Sequence, residues 1–344
     1  MKIRKLFTFE ILTLGLMAPA CAATQRDQED CANGNPEAAI TACTHIIDAK
    51  TGTPRELAII YVRRGNAYNA KRNYDQAITD YSAAIKLDPK DKDAYVDRGD
   101  AYQAQGDHDK AIADENEAIR LDPKYKSAYV DRGNAFQSKG DYDKAIADYT
   151  VAIKLDPKNA ISYFNRGNTY RSDGKYGLAV ADFSAAIKLA PKFVDAFFYR
   201  GVANMYAGAL PKALADFEKA TTLNPKDPYA ALWLDIVTMR SKLPSRLAKQ
   251  AAHLDMTKWP APVVRLFLHK VKAPSVLADA MDSNPETKKG QVCEANFYTG
   301  ELLLQQGAKN EAARLFSFAA ADCPHSFNEW FAAKAELKAL GKTP

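Results

Sequence analysis

Five stretches of this chain carry an arginine-glycine pair at the same point, with the arginines at 64, 98, 132, 166 and 200. Every step is 34 residues, and the flanking text repeats with it: "RGNAYNAKRNYDQAITDYSAAIKLDPK", "RGDAYQAQGDHDKAIADENEAIRLDPK", "RGNAFQSKGDYDKAIADYTVAIKLDPK", "RGNTYRSDGKYGLAVADFSAAIKLAPK" and "RGVANMYAGALPKALADFEKATTLNPK". A fixed period in this range signals a stack of identical supersecondary units, because one unit cannot bury its own apolar face. Apolar residues within each copy recur at helical spacing, and the prolines at 89, 123, 157, 191 and 225 stop a helix.

The pattern resembles the tetratricopeptide repeat, a helix-turn-helix unit, and implies an all-α, right-handed α-solenoid with a C-terminal helical extension. Counting each copy so that its glycine is position 8, Gly65, Gly99, Gly133, Gly167 and Gly201 fall where two helices approach closely. Ala77, Ala111, Ala145, Ala179 and Ala213 answer them from the second helix, and bulky residues at positions 4, 11 and 24 fill the space between. Glu115 replaces the aromatic at position 24 of the second copy, which predicts a looser, partly exposed site. Asn204 at position 11 of the fifth copy predicts a change of stacking geometry. Arginine at position 7 recurs with Asp80, Asp114, Asp148, Asp182 and Asp216 at position 23, as expected of an exposed bridge between the two helices.

The expected organisation is a signal peptide over 1–20, an N-terminal capping half-repeat over 24–57, and five repeats (58–91, 92–125, 126–159, 160–193, 194–227). A divergent helical segment over 228–292 and a terminal repeat with a capping helix over 293–344 follow. Lys2, Arg4 and Lys5, the apolar run to Met17 and Ala18-Pro19-Ala20 have the order of an export signal. Cleavage after Ala20 makes Cys21 a candidate for lipidation, whereas cleavage after Ala22 or Ala23 removes it. Cys31 with Cys43 and Cys293 with Cys323 form two local pairs suited to an oxidising compartment. Cys293 is expected to open the first helix of the terminal repeat and Cys323 to close the second.

The segment "EANFYTGELLLQQGAKNEAARLFSFAAADCPHSFNEWFAAKAEL", with "YAALWLDIV" and "WPAPVVRLFLHKV" before it, resembles bacterial outer-membrane lipoproteins of the NlpI type. That resemblance implies a non-catalytic adaptor for cell-wall hydrolases and a processing protease, on the periplasmic side of the envelope, soluble or tethered by lipid.

Composition points the same way. Five histidines are scattered, without zinc-ligand spacing, and no phosphate loop or G-x-S-x-G motif occurs, so no metal, cofactor or catalytic residue is expected. The net charge of +5 comes from interspersed residues, which argues against a nucleic-acid partner. The expected site is the groove lined by first helices: Asn66, Asn69, Asp100, Gln103, Asn134, Gln137, Asn168 and Arg171 to hydrogen-bond a peptide, with Phe164, Phe198 and Tyr206 as aromatic anchors. The alternatives are a homo-oligomeric structural envelope protein, a homodimer among its forms, or an enzyme with a site in 226–292.

Overall fold

The computed structural model describes residues 24–50, 52–324 and 327–343, so Cys21 and the export signal lie outside the described residues. Every regular element among them is a helix, and the chain divides into two compact units, Met1–Pro123 and Lys124–Pro344. The equal spacing of the five repeats gives no sign of a division after the second.

The first unit contains α1 (Gln25–Asn33), α2 (Pro36–Ala49), α3 (Pro54–Ala70), α4 (Tyr74–Leu87), α5 (Lys92–Ala104) and α6 (His108–Leu121). Consecutive helices pack as hairpins, α1 on α2, α3 on α4 and α5 on α6. Thr53 caps α3 and Glu56 reaches back to the Thr53 amide, satisfying amides that a helix start leaves open. Helix α4 ends at Leu87, two residues before Pro89, as the missing amide hydrogen requires. Cys31 and Cys43 are bonded, with Cα atoms 4.9 Å apart, and tie α1 to α2 over a small core that includes Ile46 and Ile60.

The second unit holds three more repeats: α7 (Lys126–Ser138) with α8 (Tyr142–Leu155), α9 (Ala160–Ser172) with α10 (Tyr176–Leu189), and α11 (Val194–Tyr206) with α12 (Leu210–Leu223). Beyond them come α13 (Pro228–Arg240), the short helices α14 (Leu247–Ala251), α15 (Ala261–Phe267) and α16 (Ala273–Asp279), then α17 (Pro285–Gln305), α18 (Lys309–Asp322) and α19 (Asn328–Ala339). Cys293 does not open the terminal repeat. Helix α17 starts earlier, because Pro285 suits a first helical position and the Asn284 side chain accepts the Glu286 and Thr287 amides. Cys293 is therefore mid-helix, bonded to Cys323 at the end of α18 with Cα atoms 5.0 Å apart.

Two repeat positions show why the period is 34. The turn between paired helices needs a left-handed residue, supplied by Gly106, Gly140, Gly174 and Gly208 at φ between 73° and 82°, while the first repeat places Arg72 there at φ 61°. At position 8 the obstacle is a ring: a Cβ on Gly65 would meet Tyr81 at 2.7 Å, and one on Gly133 would meet Tyr149 at 2.8 Å. Glu115 is not exposed, as its charge suggested, but 1% accessible, and its carboxylate faces Gly99 in the slot that Tyr81 and Tyr149 fill elsewhere. The packing slot, set by the glycine opposite, outweighs the preference of the side chain for water.

The arginine-aspartate bridges are not exposed either. Each is a two-pronged pair with both contacts near 2.8 Å in Arg64–Asp80, Arg98–Asp114, Arg132–Asp148 and Arg166–Asp182, and every aspartate is buried. The third arm reaches a hydroxyl one repeat earlier: Arg64 to Thr44, Arg98 to Ser82, Arg166 to Thr150 and Arg200 to Ser184, all near 3 Å. One residue thus joins the helices of its own repeat and fastens that repeat to its predecessor. Hydrogen bonding to the aspartates raises the Arg64, Arg98 and Arg166 pKa values further above the ordinary arginine range. In the fifth repeat Asn204 is buried and adds its own bond to Asp216 at 2.9 Å.

Candidate functional site

Position 9 contributes Asn66, Asp100, Asn134 and Asn168, and the first role of the three asparagines is internal. The hydroxyl of buried Tyr81 donates to Asn66 Oδ1 at 2.6 Å and that of Tyr149 to Asn134 Oδ1 at 2.7 Å. A buried phenol needs such a partner, so these asparagines complete the core at its edge. Where the fourth repeat has Phe183 instead of tyrosine, Asn168 Oδ1 is released and accepts two bonds from Arg171, at 3.1 and 2.8 Å. The sequence missed this coupling, although the Tyr-to-Phe change at position 24 was visible.

In the second unit the faces of α7 and α9 are joined by polar bonds. Asn165 donates to Asn134 at 3.2 Å, and the Thr169 hydroxyl donates to Gln137 Oε1 at 2.8 Å, where the Tyr149 hydroxyl also arrives at 3.2 Å. Gln137 is half-buried, its oxygen faces the Thr169 hydroxyl, which also lies 2.9 Å from the Asn165 carbonyl, and its Nε2 has no hydrogen-bond partner among the described residues. Two N–H groups are therefore presented from a fixed side chain. In the first unit Asn69 and Gln103 are half-buried, and Asn66 and Asp100 are exposed. That face is acidic. Burial, then the charges of Asp100, Asp93 and Asp91, push the Asp97 carboxyl up to about 7.

The expected aromatic anchors are largely used up. Phe198 is 7% accessible and packs edge-on against Phe217 and Trp233, with ring centres 5.6 and 6.1 Å away. It is a core residue, because position 5 of the fifth repeat faces α13. Phe164 lies between Phe183, Phe193 and Tyr199 at 4.8 to 5.7 Å. Tyr206 stacks on Tyr176 at 5.6 Å and its hydroxyl reaches the Ala332 carbonyl of α19 at 3.5 Å. Arg171 is also buried, 5% accessible, with its guanidinium 4.9 Å from the Tyr199 ring centre and 5.0 Å from that of Phe331.

The reason is the path of the final helix. Helix α19 comes back against the faces of α9 and α11 and is held from behind by α17. Tyr298 donates to Glu329 at 2.8 Å, and Arg240 bonds both Glu301 at 2.6 Å and Glu336 at 2.7 Å. A parallel pair sits one layer below, where Glu294 accepts Trp259 at 2.8 Å and Tyr229 at 3.0 Å. Burial, and then the charge of Glu329, push the Glu294 carboxyl up to about 8, and burial likewise raises Glu329. Between α19 and the repeats lies a cavity of about 490 Å³, lined by Tyr142, Arg171, Ser172, Tyr176, Tyr206 and Trp330 among others.

Paired helices at a 34-residue period, with side-chain donors on consecutive first helices, define a tetratricopeptide-repeat protein-interaction fold. The comparisons agree: a model described as "Tetratricopeptide repeat" matches residues 62–126 and 164–228, and one described as "TPR repeat" matches 133–172. A crystal structure of a tetratricopeptide repeat protein from Parabacteroides merdae is similar with a TM-score of 0.55 at 16% identity, covering 83% of this chain and 99% of that one, a likeness of fold. MamA is 27% identical over 48% of this chain and 91% of its own, with a TM-score of 0.45. YrrB, described as a TPR protein with an unusual peptide-binding site, is 22% identical over 54% and 92% respectively, with a TM-score of 0.44.

Proposed function

We propose that this chain is a non-catalytic scaffold of the bacterial envelope that binds extended protein segments on the first-helix faces of its repeats. The observation that carries the reading is Gln137: an amide whose oxygen lies 2.8 Å from the Thr169 hydroxyl and whose two N–H groups are left to meet a peptide carbonyl. Asn69, Gln103 and the exposed edges of Asn66 and Asp100 extend the same chemistry on the first unit. Two disulfides support an oxidising compartment, and no described helix is long and apolar enough to cross a membrane. The export signal and the NlpI-like C-terminal text support a periplasmic position, with cell-wall hydrolases or a processing protease as partners and Cys21 as a possible tether.

Affinity capture from a bacterial envelope extract, with mass-spectrometric identification, tests the reading. The full chain is expected to retain envelope enzymes, and Gln137→Glu, which keeps the acceptor and removes the donors, is expected to lose them while folding normally. Retrieval of nothing but further copies of the chain would instead favour a self-assembling structural protein. Asn134→Ala is the poorer probe, because it strips the Tyr149 hydroxyl of its partner.

A further inference from the structure

We propose that the cavity closed by α19 is a second binding site, which takes a peptide carboxylate flanked by an aromatic or aliphatic side chain, with Arg171 as its anchor. A buried cation without a carboxylate beside it is costly, and proteins rarely keep one. Arg171 comes close to this: its hydrogen bonds go to the neutral Asn168 side chain, no ion pair to it forms among the described residues, and the carboxylate whose charge reaches it, buried Glu329, is itself held by Tyr298. Two ring faces, Tyr199 and Phe331, hold the guanidinium between them, which partly offsets its desolvation and fixes its plane. Burial still lowers its pKa, so an anion placed beside it is stabilised by the charge the protein has already desolvated.

A second observation stands independently. Ser172 lines the same cavity, and its Oγ is buried there without a hydrogen-bond partner, a polar group that an acceptor entering the site would satisfy. The remaining lining fits an anion with an apolar neighbour. Lys334, 4.2 Å above the Trp330 ring, and exposed Lys338 have no ion-pair partner among the described residues, and the opposing charge in the wall, Asp173, is neutralised by Lys175 at 2.7 Å. Tyr142, Tyr176, Trp330 and Phe331 supply apolar wall, and the volume lies within the range of pockets that bury most of a small ligand. Nε and Nη2 of Arg171 each spend a hydrogen on Asn168, which leaves the Nη1/Nη2 edge of the guanidinium to meet a carboxylate in two bonds that a neutral amide cannot reproduce. Because α19 is clamped to α17 by Tyr298–Glu329 and to α13 by Arg240–Glu336, the wall is in place before any ligand arrives.

The proposal deepens the scaffold reading by naming a ligand class, and calorimetry on the full chain tests it apart from any cellular partner. Three probes separate the sources of the carboxylate: Ac-Ala-Ala-Phe with a free C-terminus, Ac-Ala-Asp-Phe-amide with a side-chain carboxylate, and Ac-Ala-Ala-Phe-amide with none. At least one acid is expected to bind about tenfold or more tightly than the neutral amide, and which one does so identifies the source. Lys334→Ala combined with Lys338→Ala, on the accessible rim, is expected to weaken that acid several-fold without lowering Tm. Arg171→Gln is expected to abolish the preference for acid over amide. Equal binding of all three probes, no saturable binding of either acid up to about 5 mM, or acid binding indifferent to the lysine variants overturns the proposal. Gln137→Glu is expected to leave peptide binding here intact, so loss of partner capture and loss of this site remain separate results.

Discussion

The two units begin from the same repeat and end in different interiors. In the first, burial is local: small clusters around Ile46 and Tyr81, a disulfide between α1 and α2, and an acidic first-helix face. In the second, a small cluster around Phe183 is followed by a large apolar one running from Phe197 to Leu337, with Trp233 stacked against both Phe217 and Phe297 at about 6 Å. Repeats stacked on identical neighbours need only alanine, glycine and one ring per hairpin, but the last repeat must be closed by something unlike itself. Here that closure takes α13 to α19, and the same helices that seal the core build the basic, aromatic cavity.

The sharpest way to break this contrast is at its centre. Trp233→Ala should cost the second unit about 3–5 kcal/mol, since it empties a fully buried site within a continuous core. Hydrogen exchange should show lost protection across α11 to α19 and none in α3 to α6; equal loss in both units would mean that they do not unfold separately. Replacing Cys31 and Cys43 by serine should cost about 2–4 kcal/mol, confined to α1, α2 and the start of α3.

Smaller effects sharpen the comparison at the level of one repeat. Gly133→Ala drives a methyl into the Tyr149 ring and should cost about 1–3 kcal/mol by thermal melting. Gly99→Ala should cost less, because its methyl meets the tip of the Glu115 carboxylate, 2.5 Å away but at the end of a flexible chain. The smallest effect concerns pH. The Asp97 carboxyl is raised to about 7 when folded, above its unfolded value, so the folded state holds the extra proton and stability falls as pH rises from about 4 through 7. Asp97→Asn should therefore raise the melting temperature of the first unit at about pH 8 and change little at about pH 4. A variant that stabilises equally at both values would contradict burial as the cause.

The repeats were legible because each packing device recurs with its partner at a fixed interval: Gly133 with Tyr149, Arg132 with Asp148, a left-handed Gly140 at the turn. What recurs can be read. The burial of Glu115 was not legible, since its slot is defined by Gly99 on another helix. Nor was the burial of Phe198 and Arg171, because both depend on α13 and α19 returning from far along the chain. The cavity residues Trp330, Phe331, Lys334 and Lys338 were visible as an amphipathic final helix, but sequence periodicity says which residues share a face and not what that face meets. Likewise the internal use of Asn66 and Asn134 emerges only once the Tyr81 and Tyr149 hydroxyls are seen to end beside them.

The central claim is that partners are held on the first-helix faces. Site-specific photo-crosslinking in envelope preparations tests it most directly, with benzoylphenylalanine placed at Gln137 on α7 or, as a control, at exposed Lys188 on the second helix of its repeat. The account predicts crosslinks to envelope enzymes from position 137 and few or none from 188. Crosslinks of equal yield from both positions, or only to further copies of the chain, would contradict it.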